Sequence, residues 1–318
     1  MVAMNEAKNR KLLSMPNSSF SKMYFFFVLL FFALLGNTAN GGETGAPALP
    51  PEYGRTIYRC NDARPDQLFI IGLSHRDTIT RLNGFKTARV QAEVYKLAEW
   101  LIQQRELELL LPEGYFRTRP PEGKKRTTES QKSPVCPPSL DLDVLVKKLE
   151  DDTSFVNAEM LLLKNYRLRA QQVEDPFYYQ EVGAHIRQLA QGTDSCDPRL
   201  LRSELDYLQE RRTAAMIQKI PGLIAGDFQA GKIRTKKAIF TIGLSHLPLI
   251  MRYLQEKKIT ISSPLGSSKA FEDYTAEVNL WKENYAVYVI LPRTLAEDPN
   301  ALRIIGPAAV AKELRNRS

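Results

Sequence analysis

Residues that carry metal, redox or nucleophilic chemistry are scarce in this chain. Its 318 residues include three cysteines, three histidines and two tryptophans. Cys60, Cys136 and Cys196 form no C-x-x-C pair, which excludes a structural zinc knuckle and a thioredoxin-like redox site. In an oxidising compartment three thiols allow one disulfide with one left over. Their spacing names no pair, so a structural role is the preferred reading. The sequence has no Gly-rich phosphate loop and no G-x-S-x-G elbow, so it offers neither a phosphate cradle nor that type of serine nucleophile.

Long apolar runs are missing too. The longest, Met23 to Leu35, has thirteen residues and follows Lys8, Arg10, Lys11 and Lys22. A helix of that length reaches about 20 Å against a hydrocarbon core of about 30 Å. The layout predicts a signal peptide over 1–41, with Ala39-Asn40-Gly41 as the cleavage site and export to the periplasm or the extracellular space. The alternative is a membrane anchor over 23–35, in which case the membrane is a partner only through an uncleaved leader.

The formal charge is +8, of which the first 41 residues supply +3 and the stretch from Arg117 to Lys132 supplies +4. That basicity is local, as in a solvated loop, and no basic stripe interleaved with aromatics is present. Nucleic acid is therefore not an expected partner.

Residues 42–56 are rich in Gly and Pro and predict a linker, with the folded domain spanning 57–318. The apolar run Leu68 to Ile71, a helix through Val90, Val94, Leu97, Leu101 and Ile102, and a strand over 106–111 form a βαβ unit. A Pro- and Lys-rich loop covers 117–139. A helical insertion follows over about 140–220, with helices at 155–173, 177–190 and 199–220 broken at Asp175-Pro176 and Asp197-Pro198. Strand 238–242, helix 247–256 and strand 259–262 repeat the βαβ order, strand 285–291 extends the sheet, and a tail helix begins near Pro307. The expected fold is α/β, with duplicated βαβ units forming a central, mainly parallel sheet.

Two segments carry the chemistry. Leu68-Phe-Ile-Ile-Gly-Leu-Ser-His75 and Ile239-Phe-Thr-Ile-Gly-Leu-Ser-His246 agree at six of eight positions, an internal repeat of one strand-turn-helix unit. Apolar strands resemble one another by propensity alone, but Gly, Ser and His lie beyond the strands, where packing makes no such demand. Gly72 and Gly243 are expected to let the chain turn sharply, aiming His75 and His246 into a crevice at the sheet's carboxyl edge. Pro248 sets His246 at the start of a helix. Glu113 ends the second strand at the same edge. His185 lies in a helical pattern with no partner motif and reads as a packing residue.

These motifs resemble the Tiki/TraB superfamily, which has two G-x-x-H motifs, a strand-end glutamate and a helical arginine. Gly72-Leu-Ser-His75, Glu113 and Gly243-Leu-Ser-His246 match in order, and Arg212 or its neighbour Arg211 matches the arginine. Leu73 stands where the first motif often has Thr, and Thr213 where Asn or Asp often follows the arginine. The resemblance implies a metal-dependent hydrolase acting on a peptide or small-molecule substrate. His75, Glu113 and His246 are the implied metal ligands, Glu113 and Arg212 the catalytic groups, and Ser74 and Ser245 hydroxyls that orient the ligands. Imidazole and carboxylate suit Mn, Co, Fe or Zn alike. A non-catalytic protein of the same fold that binds a metal, haem or a peptide is the competing expectation, and the oligomeric state does not follow from the sequence.

Overall fold

A computed structural model describes residues 49–74, 85–114, 139–150, 157–192, 197–266 and 271–306. The signal-peptide and anchor segments, the basic loop, Cys136, Cys196, His75 and the tail helix lie outside these residues. Six strands form the central sheet in the order β1-β8-β2-β5-β3-β4. They are β1 (Gly54–Cys60), β2 (Gln67–Leu73), β3 (Leu109–Pro112), β4 (Arg169–Ala170), β5 (Lys237–Gly243) and β8 (Ala286–Pro292). All neighbours pair in parallel except β1, which runs antiparallel to β8 at one edge. The fold is α/β with a mostly parallel sheet and, among the described residues, nine helices.

Every residue of β2, β3 and β8 is buried, as expected of parallel strands covered on both faces. Alternate residues serve alternate faces. Leu68, Ile70, Leu109, Leu111, Phe240 and Ile242 point into one core, and Phe69, Ile71, Leu110 and Ile239 into the other. Helix α1 (Phe85–Arg105), which follows β2, packs in the second core with α2 (Leu142–Glu150) and α3 (Ala158–Asn165). Helix α6 (Leu247–Glu256), which follows β5, packs in the first with α4 (Pro176–Gln191) and α5 (Pro198–Gln229). The adjacent parallel strands β2 and β5 therefore send their helices to opposite faces. In an open α/β sheet such a switch point opens a crevice at the carboxyl ends of its two strands.

Several expectations change. The linker is shorter than 42–56, because β1 begins at Gly54 and holds the sheet edge through Gly54 opposite Pro292. The second strand starts at Leu109 rather than at 106, since Glu106 has a left-handed backbone with φ of 54°. The helical insertion is interrupted. The expected helix 155–173 is α3, which stops at Asn165, and Arg169–Ala170 then joins the sheet as β4 beside β3. The inserted helices also divide between the two faces, and α5 reaches the ends of β3 and β5 through Arg212 and Thr213.

Asp175 and Asp197 cap α4 and α5 by accepting the amides of Phe177 and Arg199, so those two breaks fall where the Asp-Pro pairs predicted them. Helix α5 continues past Pro221 to Gln229, because Ile220, Ile224 and Asp227 keep burying one face. The second βαβ unit does not close in the main sheet. Strand β6 (Lys258–Ile261) pairs antiparallel with β7 (Tyr274–Glu277) in a separate two-stranded sheet. Helices α7 (Asn279–Lys282), α8 (Arg293–Ala296) and α9 (Pro299–Ile305) complete the order around β8. The described residues belong to one compact unit, residues 44–318, and none of their helices is long and apolar enough to cross a membrane.

Candidate functional site

Glu113 is the first residue past β3, and its amide still donates to the Thr241 carbonyl of β5 at 3.0 Å. Gly114, with φ of 70°, then turns the chain in a conformation that side chains disfavour. The Glu113 side chain lies against the end of β5, only 8% exposed. Its Oε2 accepts the Gly243 amide at 2.5 Å, and its Oε1 accepts Nη2 of Arg212 at 2.8 Å. One carboxylate thus joins the end of β3, the end of β5 and helix α5.

His246 closes a 3₁₀ turn, Leu244–His246, and occupies the N-cap position of α6. Its Nδ1 lies 2.7 Å from Oγ1 of Thr213. The same hydroxyl lies 2.8 Å from the Gln209 carbonyl, so its one proton serves either that carbonyl or Nδ1, and the His246 tautomer follows from which it serves. Nε2 faces Glu113 Oε1 at 3.2 Å. With the ring hydrogen on Nε2 the imidazole donates to the carboxylate, and with it on Nδ1 the two lone pairs frame a place for a cation.

Glu174, in the polar link after β4, completes the cluster and was not anticipated from the sequence. It is fully buried and binds Arg212 through two parallel hydrogen bonds, Nε to Oε1 at 2.9 Å and Nη2 to Oε2 at 2.7 Å. The Gly114 amide reaches Glu174 Oε2 at 3.3 Å. Burial alone would weaken the Arg212 charge, but hydrogen bonding to Glu174 and the field of Glu113 outweigh it and raise the guanidinium above its ordinary value. Counted formally, two carboxylates meet one guanidinium, which leaves one negative charge beside the imidazole. Arg212, rather than Arg211, is the site arginine. Arg211 points elsewhere, its guanidinium 3.9 Å over the Tyr274 ring and bonded to the Tyr178 hydroxyl at 2.8 Å.

Gly72 serves close packing rather than a sharp turn. It lies within β2, and a Cβ there would meet Leu247 Cδ1 at 2.6 Å and Leu291 Cδ2 at 3.1 Å. Gly243 is extended, with φ of −57°, and contributes its amide to Glu113. Ser74 lies 3.4 Å from the Thr87 hydroxyl. Ser245, in the 3₁₀ turn, is exposed. His185 is 2% exposed, with Nδ1 at 2.8 Å from the Glu181 carbonyl and Nε2 at 3.2 Å from Glu204, linking α4 to α5. Cys60 carries a free thiol whose pKa burial raises.

Two of the three expected ligands, Glu113 and His246, therefore meet, and His75 lies outside the described residues. Among the described residues no group of three His, Cys, Asp or Glu side chains is close enough to hold a metal ion. Comparison with protein-family models, curated proteins and solved structures returns no match to this chain.

Proposed function

We propose that the chain is an exported metal-dependent hydrolase, a peptidase by substrate class, with His75, Glu113 and His246 as ligands in a duplicated unit of the Tiki/TraB type. One observation carries the reading: His246 Nε2 faces Glu113 Oε1 at 3.2 Å while Nδ1 is committed to Thr213. The donors suit a divalent cation such as Mn, Co, Fe or Zn. Two atoms bound to one ion at about 2.1 Å in neighbouring positions stand roughly 3.0 to 3.4 Å apart. His75 enters on the sequence repeat, two positions beyond the end of β2.

When bound, such an ion polarises a substrate carbonyl and acidifies water. The protein's own residues do the remaining work. Thr213 holds the His246 imidazole at Nδ1, and the Gly243 amide holds the second Glu113 oxygen. Arg212 restrains both carboxylates. Its Nη1 group has no partner among the described residues and is the donor available to a developing oxyanion.

A second reading has one observation behind it. Both Glu113 oxygens already accept hydrogen bonds from the protein, which favours a protonated Nε2 in a metal-free cluster of a binding protein. Titration of the purified full chain with Mn(II), Co(II) and Zn(II), followed by assay against a peptide library, separates the two. The hydrolase reading expects stoichiometric binding and turnover. Binding without turnover supports a metal-binding protein, and the absence of binding supports the metal-free cluster.

A further inference from the structure

Helix α5 presents consecutive arginines to different neighbours, and α4 does the same with consecutive tyrosines. Tyr179 lies over Arg212 at 5.2 Å, beside the carboxylate cluster. Tyr178 and Arg211 instead line a cavity of about 390 Å³ closed on its far side by Phe271 to Tyr274. Successive helical residues point about 100° apart, so the cavity and the cluster are side by side on one pair of helices.

The cavity wall is aromatic. Tyr207 and Phe271 have ring centroids 4.8 Å apart, Phe177 and Tyr178 meet edge to face at 5.2 Å, and Tyr274 completes the wall. These faces already accept a cation from within the molecule, since the Arg211 guanidinium lies 3.9 Å over Tyr274. The charged lining is predominantly acidic. Among the described lining residues Glu181, Glu272 and Asp273 face one cation, Arg211, although the chain as a whole carries +8. Asp273 accepts the Ser263 amide at 2.7 Å. The carboxylates of Glu181 and Glu272 have no partner among the described residues.

We propose that this cavity is a subsite for a lysine or arginine side chain of a peptide substrate, resting on the peptidase reading above. The rings cover the hydrocarbon stem and offer their faces to the charge, while Glu181 and Glu272 pair with the terminal group. A volume of about 390 Å³ is at the small end of ligand pockets and admits a long side chain with the peptide backbone beside it. A neutral side chain of the same length gains only the burial of its stem, and an acidic one meets repulsion.

The test uses the full chain without added metal and blocked pentapeptides Ala-Ala-X-Ala-Ala, with X as Lys, Arg, norleucine or Glu, measured by calorimetry at low salt. Lys and Arg peptides should bind about tenfold more tightly than the norleucine peptide. The double variant Glu181→Gln/Glu272→Gln should reduce that preference to within roughly twofold. The single variant Glu272→Gln, at an exposed position, gives an intermediate preference and guards against a misfolded double variant.

Equal binding of the Lys and norleucine peptides, no binding of any peptide, or a preference that survives the double variant overturns the proposal. Measuring the peptide preference and metal binding on the same preparation separates this inference from the hydrolase reading. A preference for Lys and Arg with no metal bound leaves the subsite standing and removes the hydrolase. Metal binding with no preference removes the subsite alone.

Discussion

Thr213 on α5 and His246 at the start of α6 are joined hydroxyl to imidazole. The hydroxyl sits 2.7 Å from Nδ1 and 2.8 Å from the Gln209 carbonyl, one turn back along α5. Thr213→Val keeps the shape and removes the hydroxyl. It should cost about 1 kcal/mol of stability and about tenfold in metal affinity, the usual effect of losing a partner that orients a ligand. Calorimetric titration with Zn(II) reads the second effect, and an unchanged affinity would mean that Thr213 does not orient the imidazole.

Arg212 is the cation between two buried carboxylates, so removing it strands both. Arg212→Met should lower stability by about 3 kcal/mol in urea denaturation. Arg212→Lys should recover only part, because an ammonium cannot reproduce the guanidinium fork. Arg211→Met, at a ring-stacked position, should cost under about 1 kcal/mol. Equal losses for Arg211→Met and Arg212→Met contradict the assignment of Arg212.

Gly72 is held by contact rather than by conformation. A methyl group there meets Leu247 at 2.6 Å, so Gly72→Ala should destabilise the chain by about 1 to 3 kcal/mol through overpacking. In the Leu247→Ala background the same substitution should cost clearly less. Thermal denaturation of the four chains reads the coupling, and additive losses would exclude the contact as the reason for glycine.

Asp227 anchors the edge strand to α5. Burial pushes its carboxyl up, but hydrogen bonds from Gln171 and Arg169 overcome that push and hold it below the usual carboxylate range. A depressed folded value contributes stability that is complete above the unfolded value of about 3.9 and lost as pH falls through the lower folded one. Asp227→Asn should therefore remove about 2 kcal/mol near neutral pH and flatten stability against pH in that acidic window. Parallel acid limbs for the two proteins would exclude this contribution.

The strands that hold the site were legible because burial on both faces demands apolar runs, as in Leu68 to Ile71 and, interrupted only by Thr241, Ala238 to Ile242. The turn at 243–246 was legible because Gly-Leu-Ser-His repeats there, although in the first copy Gly72 is demanded by packing against Leu247. Strand β1 was not, since Gly54–Cys60 buries only Gly54 and Ile57, without period-two alternation, and gains its strand character from pairing with β8. Glu174 left no signal at all, because one acid in a polar link looks solvated until the fold brings Arg212 to it. The choice between Arg211 and Arg212 depended on helix rotation, which a polar helix surface does not fix. The expected helix 199–220 extends through Pro221 to Gln229, because packing on both sides of Pro221 carries α5 onward.

The central claim is that a divalent metal ion is held by His246 and Glu113 together with His75. Metal content after dialysis against Zn(II), determined by elemental analysis of the wild-type chain and of His75→Ala, His246→Ala and His185→Ala, tests it most directly. The account predicts about one ion per wild-type chain, at least tenfold weaker retention in His75→Ala and His246→Ala, and wild-type retention in His185→Ala. Equal retention in all four proteins, or none in the wild type, would contradict it.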